Sequence, residues 1–494
     1  MLAGAVALGL LVAALGRIGE AAGRALLVLA LALPACSAVW WWASGRRRAG
    51  GGRPPGPGWA SRRELSPLLC RAVAGDRVVL GRAHGRLVAA EHRQSVLVVG
   101  PSQSGKTTSL AVPAIVEWAG PVLATSVKTD LLGASLAARS ARGEVAVFDP
   151  TGVTGEPSFG WSPLDESGSW RGARRVAEAL CSVGERSGGI EDASYWYAAA
   201  ERLLAPLLQA AALSGGSMGE VLSWLEEEEV DAPLSVLTAA GEEAALRVAR
   251  SCFALEERQR SSVFATALTV LAAYEDPDVL ASERFGRRLS PTWLLAGGPR
   301  PRTIYCCAPA RDQARLSPVF VALVRQVLDA AYQASLRGGG PLDPPVLVVL
   351  DEAANVAPLG DLDRVLSTAA GHGICLLTVW QDLAQVEARY GARWATIVNN
   401  HRAKVVCPGV SDPRTLELVS ALLGDAESSQ RSRGRGEGGG WTESETEVRL
   451  PVAPAGWIRR LPRRQALVVY GGLPPALVSL RGVLPPGRRR EAAS

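Results

Sequence analysis

The residues with the clearest chemical signal lie at positions 100–107 of this 494-residue chain. They read GPSQSGKT and match the phosphate-loop pattern GxxxxGK[ST], whose backbone N–H groups surround the phosphates of a nucleotide. We expect Lys106 to reach the β- and γ-phosphates and the Thr107 hydroxyl to bind Mg²⁺. The predicted contacts to ATP come from Gly100, Pro101, Ser102, Gln103, Ser104, Gly105, Lys106, Thr107 and Thr108.

A second group of reactive residues follows an apolar run much further along the chain. Asp351 and Glu352 come directly after PVLVVL at residues 345–350. A carboxylate at the carboxyl end of a parallel strand can hold the magnesium ion with its water shell, and we assign this role to Asp351. Glu352 is then the candidate base that polarises the attacking water. Acidic residues are common after strands, so the phosphate loop is what makes this assignment specific.

A third polar residue, Gln381, ends the apolar run ICLLTVW at residues 374–380. An amide at this position could hydrogen-bond the γ-phosphate or the attacking water, and so report which nucleotide is bound. The alternative is a surface turn residue with no role in the chemistry. The sequence alone leaves both interpretations open.

These chemical groups require a fold that brings the ends of separate strands together. Helical segments alternate with apolar runs of strand length, which predicts an α/β fold with a doubly wound parallel sheet. From residue 165 to residue 287 the apolar spacing is helical, so we expect an all-helical insertion there. Residues 426–447 contain RSRGRGEGGG and are expected to form a mobile loop. The candidate strands are residues 94–100, 122–125, 145–148, 303–307, 345–350, 374–380 and 404–407.

The N-terminal segment has the pattern of a membrane anchor. Residues 1–16 and 25–44 carry no charged side chain, and the tryptophans at 40–42 are followed by arginines at 46–48, which indicates a cytoplasmic exit. We expect two transmembrane helices in the cell membrane, with both termini and the remaining chain in the cytoplasm. The competing interpretations are a cleaved signal peptide and a lipoprotein signal; the first span lacks the basic segment that a signal peptide would have before it.

The charge balance gives no signal for or against nucleic-acid binding, and the cysteine content argues against two kinds of cysteine-based structure. The net charge is +5, but the first 63 residues hold eight arginines and one glutamate, so the remainder is close to neutral. Such a balance does not by itself indicate a nucleic-acid-binding protein. The eight cysteines contain no CxxC pattern, which argues against a zinc site or a disulfide scaffold.

From about residue 80 to residue 480 the chain resembles the type IV coupling proteins of conjugation and type IV secretion, the TraG/TraD-like membrane-anchored ATPases. Phosphate loops occur in thousands of proteins, whereas this ordered set of segments is far more specific. The segments are LGR, GPSQSGKTT, SVKTDLL, GEVAVFDPT, FGWSPLD, VLVVLDEAANVAPLGDLDRVLSTAAGHGICLLTVWQDLAQVEARYG, IVNNHRAKVVCPGVSDPRTLELVSALLGD and LPRRQALVVYGGLPPALVSLR.

The resemblance implies a homo-hexameric ring of RecA-like P-loop ATPase cores at the base of a secretion channel, with ATP and Mg²⁺ as cofactors. It implies that the ring passes DNA, in single-stranded form with its relaxase, to the channel components. The predicted organisation is two transmembrane helices (1–45), a Gly/Pro/Arg linker (46–65), the nucleotide-binding domain in two parts (66–164 and 288–484), the helical insertion (165–287) and a basic tail (485–494).

Some residues depart from the family or stay without an assigned mechanism. A ring ATPase is expected to use an arginine from a neighbouring subunit. Arg402 and Arg414 flank the last core strand and are candidates, and we assign this role to Arg402. Lys128 lies in a lysine-containing family motif whose mechanism is open. His372 stands where members often have arginine.

Three other functions compete with DNA transfer. A receptor that delivers protein effectors to a channel is favoured by the near-neutral soluble part, because a dedicated DNA motor should have a basic pore. A membrane scaffold could bind nucleotide only in order to assemble. A septal translocase for double-stranded DNA is disfavoured, because such proteins carry more spans and an added winged domain.

Overall fold

Alternating strands and helices form the described part of the chain. A computed structural model describes residues 57–126, 129–184, 193–296, 300–435 and 441–482. Its strands are β1 (Leu69–Cys70), β2 (Val79–Ala83), β3 (Arg86–Ala89), β4 (Val96–Val99), β5 (Val122–Ser126), β6 (Val145–Phe148), β7 (Thr303–Cys307), β8 (Val346–Leu350), β9 (Ile374–Trp380), β10 (Ala403–Val406), β11 (Asp425–Arg435), β12 (Trp441–Pro451), β13 (Gln465–Tyr470) and β14 (Ala476–Ser479).

The helices fill the connections between these strands. A π-helical turn at Thr107–Ala111 leads directly into the first of them. They are α1 (Val112–Glu117), α2 (Thr129–Ser140), α3 (Trp170–Cys181), α4 (Ala193–Ser214), α5 (Met218–Glu226), α6 (Asp231–Ala239), α7 (Glu243–Phe253), α8 (Glu257–Leu271), α9 (Pro277–Ser282), α10 (Pro291–Leu295), α11 (Gln313–Arg337), α12 (Leu362–Thr368), α13 (Leu383–Tyr390), α14 (Trp394–Asn400), α15 (Pro413–Leu423) and α16 (Ala455–Arg459).

One large sheet organises the described residues, in the order β1-β3-β2-β14-β13-β10-β4-β9-β8-β5-β7-β6. The strands from β10 to β6 in this order are parallel to one another. Each of them coincides with a run that we predicted as a strand, so the mostly parallel α/β core is confirmed and fits a RecA-like domain. The strands from β1 to β13 in this order pair antiparallel and extend the sheet beyond the parallel strands. Of these, β13 and β14 correspond to the strand pair that the resemblance implies for the segment LPRRQALVVYGGLPPALVSLR, and β1 to β3 were not predicted.

The central strands are apolar on both sides because both faces of the sheet are covered. In β4, Val96 and Val98 pack into one buried cluster, whereas Leu97 and Val99 pack into another. Helices α1 and α2 cover the first face, and α11 with the helices of the insertion covers the second. This two-sided burial explains why the parallel strands are continuous apolar runs in the sequence.

The insertion is helical throughout its described residues, from α3 to α9, as we predicted. Its base is closed by the buried carboxylate of Glu283. Ser162 Oγ donates to Glu283 Oε1 at 2.5 Å, and the backbone N–H of Met218 donates to Oε2 at 3.1 Å. Burial raises the pKa of Glu283, and these two donors partly oppose that increase. The carboxylate therefore joins the start of the insertion to its last helix.

The prediction of a loop at residues 426–447 is wrong for most of its length. Strands β11 and β12 pair antiparallel as a separate two-stranded sheet, with Asp425 opposite Pro451 and Arg435 opposite Trp441. In the sequence these segments are mostly polar residues and glycine, so they show no pattern of a buried strand. Ala60 and Leu65, which we assigned to the linker, are buried in the core. The packed part of the chain therefore includes residues before position 66.

The predicted membrane spans at residues 1–16 and 25–44, and the basic tail at 485–494, lie outside the described residues. Within the described ranges, no helix combines the length and the apolar character that crossing a bilayer requires.

Candidate nucleotide site at the carboxyl edge of the sheet

Three loops that are far apart in the sequence meet at one edge of the sheet. Strands β4, β9 and β8 are parallel neighbours in that order. The loop after β4 carries Lys106, Gln381 follows β9, and Asp351 follows β8. Because parallel strands present their carboxyl ends at the same edge, the phosphate loop, the amide and the acidic pair all lie at this edge.

The phosphate loop connects β4 to the helical segment that starts at Thr107. Lys106 is held inside its own loop, where its Nζ donates to the carbonyl oxygen of Gly100 and, at 2.9 Å, to that of Pro101. Ser102, Gln103 and Thr108 are exposed, and the other loop residues after Gly100 are half-buried. The free N–H groups at the start of the helical segment make this loop a site for anionic groups.

The backbone of the loop needs glycine at two positions. A Cβ on Gly100 would lie 2.7 Å from Cys407 Cβ and 2.8 Å from Ser104 Oγ, so a side chain does not fit there. Gly105 has a φ of +92°, a conformation that residues with a side chain rarely adopt. Gln103 also has a positive φ, of 64°. These features give the compact loop that the phosphate-binding pattern requires.

The magnesium ligands that we predicted are neighbours in the structure. Thr107 Oγ1 lies 3.3 Å and 3.2 Å from the two carboxylate oxygens of Asp351, which is buried at 7% exposure. These two residues are 244 positions apart in the sequence. A hydroxyl and a carboxylate are the oxygen ligands that Mg²⁺ prefers, so the residues present suit that ion.

Burial controls the electrostatics of Lys106. It lowers the pKa of the ammonium group, while the nearby carboxylates of Asp351, Glu352 and Asp382 partly oppose this effect. Burial also raises the pKa of the Cys407 thiol to about 12, so this thiol packs behind the loop as an uncharged group. A bound phosphate would favour the charged form of Lys106 further, because opposite charges attract strongly in a partly desolvated site.

Glu352 has an unusual backbone conformation. Its φ of 57° lies in the left-handed region, which costs a residue with a side chain on the order of 1–3 kcal/mol. Two contacts hold this conformation: Asn355 Nδ2 donates to Glu352 Oε2 at 3.3 Å, and the N–H of Ala353 donates to the carbonyl oxygen of Val379 in β9. The acidic turn is therefore attached to the strand that ends at Gln381.

Gln381 is exposed at the end of β9. Its backbone N–H donates to Gln385 Oε1 at 3.1 Å, and the N–H of Gln385 donates to Asp382 Oδ1 at 2.7 Å. Sequence reasoning did not include Asp382, Gln385 or Asn355. The pattern Asp-x-x-Gln at the start of a helix is a known capping signature and could have identified the first two.

The candidate arginines lie at different edges of the sheet. Arg402 precedes β10, at the edge opposite the phosphate loop, and its Nε donates to Glu91 Oε2 at 3.1 Å. Arg414 lies at the carboxyl edge, and its Nη2 donates to Glu387 Oε1 at 2.6 Å. His372 Nδ1 lies 3.0 Å from Ser335 Oγ. Lys128 lies outside the described residues.

Comparison with known proteins identifies relatives of this chain. A family model described as "Type IV secretory system Conjugative DNA transfer" matches residues 71–479. The chain is 27% identical over 357 residues to a conjugal transfer protein TraG of Escherichia coli, a match that covers 67% of this chain and 55% of the relative. A TraG protein of Agrobacterium fabrum is 25% identical over 374 residues, covering 73% and 53%. The chain thus spans about half the length of these relatives.

Solved structures share the fold. The bacterial conjugative coupling protein TrwBdeltaN70 superposes with a TM-score of 0.65 at 22% identity, covering 85% of this chain and 92% of that chain. A complex of TrwB with the ATP analogue ADPNP gives a TM-score of 0.66 at 21% identity, covering 85% and 92%. A complex of TrwB with ADP and Mg²⁺ gives 0.65 at 20% identity, covering 86% and 93%. The family match covers most of the chain, and the chain therefore belongs to the type IV secretory system family of conjugative DNA transfer proteins.

Proposed function

We propose that the chain is an ATPase that couples ATP hydrolysis to the transfer of DNA into a type IV secretion channel. The observation that carries this proposal is the meeting of the phosphate loop, the acidic pair and Gln381 at one edge of the sheet of a conjugative DNA transfer protein. The TrwB structures with an ATP analogue and with ADP and Mg²⁺ support ATP and Mg²⁺ as the cofactors.

Each residue at this edge has a distinct proposed task. Lys106 leaves the carbonyl oxygens of its loop and binds the β- and γ-phosphates. Thr107 and Asp351 would hold Mg²⁺, which neutralises the charge that develops on the phosphate oxygens. Glu352 accepts a proton from the attacking water, and Gln381 donates its amide hydrogen bond to the γ-phosphate or orients that water.

The cargo is proposed to be single-stranded DNA carried with its relaxase, because the family model concerns conjugative DNA transfer. The apolar segments at residues 1–16 and 25–44 support a membrane anchor that places the ATPase at the cytoplasmic face, next to channel components. A homo-hexameric ring is proposed on the resemblance to coupling proteins.

The ring is proposed to complete each site with an arginine from the neighbouring subunit. Arg402 is the first candidate because it lies away from the phosphate loop of its own subunit, as a residue that acts on a neighbouring site must. Arg414 is the second candidate. If either acts in trans, its replacement by alanine lowers the hydrolysis rate of the assembled protein by at least about 100-fold, with little effect on nucleotide affinity.

Hydrolysis by the full chain in lipid nanodiscs, with and without single- or double-stranded DNA at two salt concentrations, tests the proposal. We expect DNA to stimulate hydrolysis, and we expect this stimulation to weaken steeply with salt because DNA binding releases counterions. The Lys106→Ala variant should show no hydrolysis under any of these conditions. Hydrolysis that is indifferent to DNA would contradict a DNA motor and favour protein cargo.

A further inference from the structure

The turn between β9 and α13 is closed by reciprocal hydrogen bonds. Gln385 Oε1 accepts from the N–H of Gln381 at 3.1 Å, and Asp382 Oδ1 accepts from the N–H of Gln385 at 2.7 Å. The N–H of Gln385 is a donor that the start of the helix leaves free, and the N–H of Gln381 lies one residue before the N-cap Asp382; both are thereby paired. The side chain of Gln385 thus fixes the backbone of the residue that is proposed to contact the nucleotide.

A second contact joins this turn to a neighbouring helix. Thr415 Oγ1, which is fully buried, accepts from the N–H of Leu383 at 3.0 Å. The same hydroxyl donates to Asp412 Oδ2 at 2.6 Å, which also accepts from the N–H of Thr415 at 2.8 Å. The starts of α13 and α15 are therefore held by one shared hydroxyl.

A further contact keeps the two helices in register. Arg414 Nη2 donates to Glu387 Oε1 at 2.6 Å, one residue from Thr415 and one helical turn along α13. The guanidinium is 65% exposed, so this outer pair is screened by solvent, whereas the hydroxyl contact is buried. The buried contact therefore provides most of the restraint.

We propose that Gln385 is a positioning residue that holds Gln381 in reach of the nucleotide, and that Thr415 extends this restraint to α15. The inference rests on the proposed role of Gln381. An amide that hydrogen-bonds the reacting groups must be placed accurately, since a displacement of about 1 Å can cost about 100-fold in rate. Gln385 itself makes no contact with the reacting groups and acts only through the backbone of Gln381.

The test compares Gln385→Ala with Gln385→Glu in the full chain, using ATP hydrolysis. Alanine removes the acceptor for the N–H of Gln381, and we expect kcat to fall about tenfold while KM for ATP changes less than about twofold. Glutamate keeps an acceptor oxygen, as in the common capping box, so its kcat should stay within about twofold of the unmodified chain. Gln333→Ala, on the exposed side of α11, is the matched control, and it should hydrolyse ATP at the rate of the unmodified chain.

A double variant tests whether Gln385 acts through Gln381. Gln381→Ala with Gln385→Ala should be no slower than Gln381→Ala alone, because the second change removes support for a side chain that is already absent. Multiplicative losses in the double variant would overturn the inference. So would a Gln385→Ala variant that hydrolyses ATP at the normal rate while Gln381→Ala is slow.

The proposed role of Gln381 can be tested separately from that of Gln385. If Gln381→Ala hydrolyses ATP normally, Gln381 has no part in the reaction and the function assigned to that residue is wrong.

Thr415→Val and Thr415→Ser provide a second comparison at α15. We expect the valine variant to lose about threefold in kcat and the serine variant to retain the normal rate, because only serine keeps the shared hydroxyl. Equal rates for the two variants would overturn the part assigned to Thr415.

Discussion

The two edges of the central strands contain similar polar residues but use them in different ways. At the carboxyl edge, the Lys106 ammonium binds only carbonyl oxygens of its own loop among the contacts described, and it is free to exchange them for phosphate. At the amino edge, Glu91 accepts from both Arg402 Nε and the Tyr470 hydroxyl. The first arrangement is suited to a ligand, and the second joins parts of the protein to each other.

The direction of the strands is the reason for this difference. Parallel strands all end at the same edge, where their following loops can converge on one ligand. The opposite edge receives chains that enter the sheet, so its polar groups pair with neighbouring segments. Within one subunit, side chains at the carboxyl edge should therefore control turnover, and those at the amino edge should control stability.

The largest effect is expected for Lys106→Ala. Removing the ammonium group that binds the phosphates should lower the rate of ATP hydrolysis by at least about 100-fold. Lys404→Ala is the matched control, since its Nζ is also partly buried but donates to the carbonyl oxygen of His401 at 2.7 Å. The hydrolysis rates of the two folded variants should differ strongly. Equal losses would contradict the inference that the carboxyl edge controls turnover and the amino edge does not.

Glu352→Gln should have the next largest effect. It removes the proposed base but keeps the shape of the side chain, so kcat should fall about 100-fold while a fluorescent ATP analogue still binds. Glu91→Gln tests the same change at the amino edge, and we expect its hydrolysis rate to stay within about threefold of normal. A Glu352→Gln variant that turns over ATP at the normal rate would remove Glu352 from the mechanism.

Burial of His401, near the amino edge of β10, predicts that the protein loses stability at low pH. His401 is fully buried between Thr378 Oγ1 and the carbonyl oxygen of Ile397, and burial lowers its pKa to about 4. The unfolded chain binds this proton near pH 6.5, so stability falls as the pH drops from about 7 toward 4. The expected loss at pH 5 is roughly 2 kcal/mol.

Urea unfolding of the full chain at pH 7.5 and pH 5, followed by tryptophan fluorescence, measures this loss. His401→Gln cannot titrate, so its pH dependence should be smaller than that of the unmodified chain by about the same amount. Identical pH dependence for the two proteins would mean that the native His401 titrates normally.

The smallest effect on stability is expected for Arg402→Ala. The guanidinium is 50% exposed and its ion pair with Glu91 is screened by water, so the free energy of unfolding should fall by no more than about 1 kcal/mol, and by less in high salt. Denaturant unfolding at two salt concentrations checks this. The hydrolysis rate of the assembled Arg402→Ala variant tests the separate proposal that Arg402 acts in trans, for which we expect a loss of at least about 100-fold. A normal hydrolysis rate would leave Arg402 with only its structural contact to Glu91.

The sequence by itself identified the residues that we propose for the chemistry of the site, and it determined most of the parallel core. The phosphate loop is a contiguous motif, and strands buried on both faces are continuous apolar runs that can be recognised without coordinates. The antiparallel strands β1 to β3 and the hairpin of β11 and β12 were not predicted. β1 has only two residues, Gly81 and Arg82 interrupt the apolar residues of β2, and residues 425–451 are mostly polar or glycine, so these segments do not stand out as such runs.

Only the tertiary structure decided which of these elements are neighbours. It placed β9 between β4 and β8, brought Thr107 to Asp351 across 244 residues and paired Arg402 with Glu91 across 311 residues. Apolar periodicity records whether a side chain is buried, but it carries no information on which strand lies beside which. The order of the strands follows from how the whole chain packs, and that order turns separate motifs into one site.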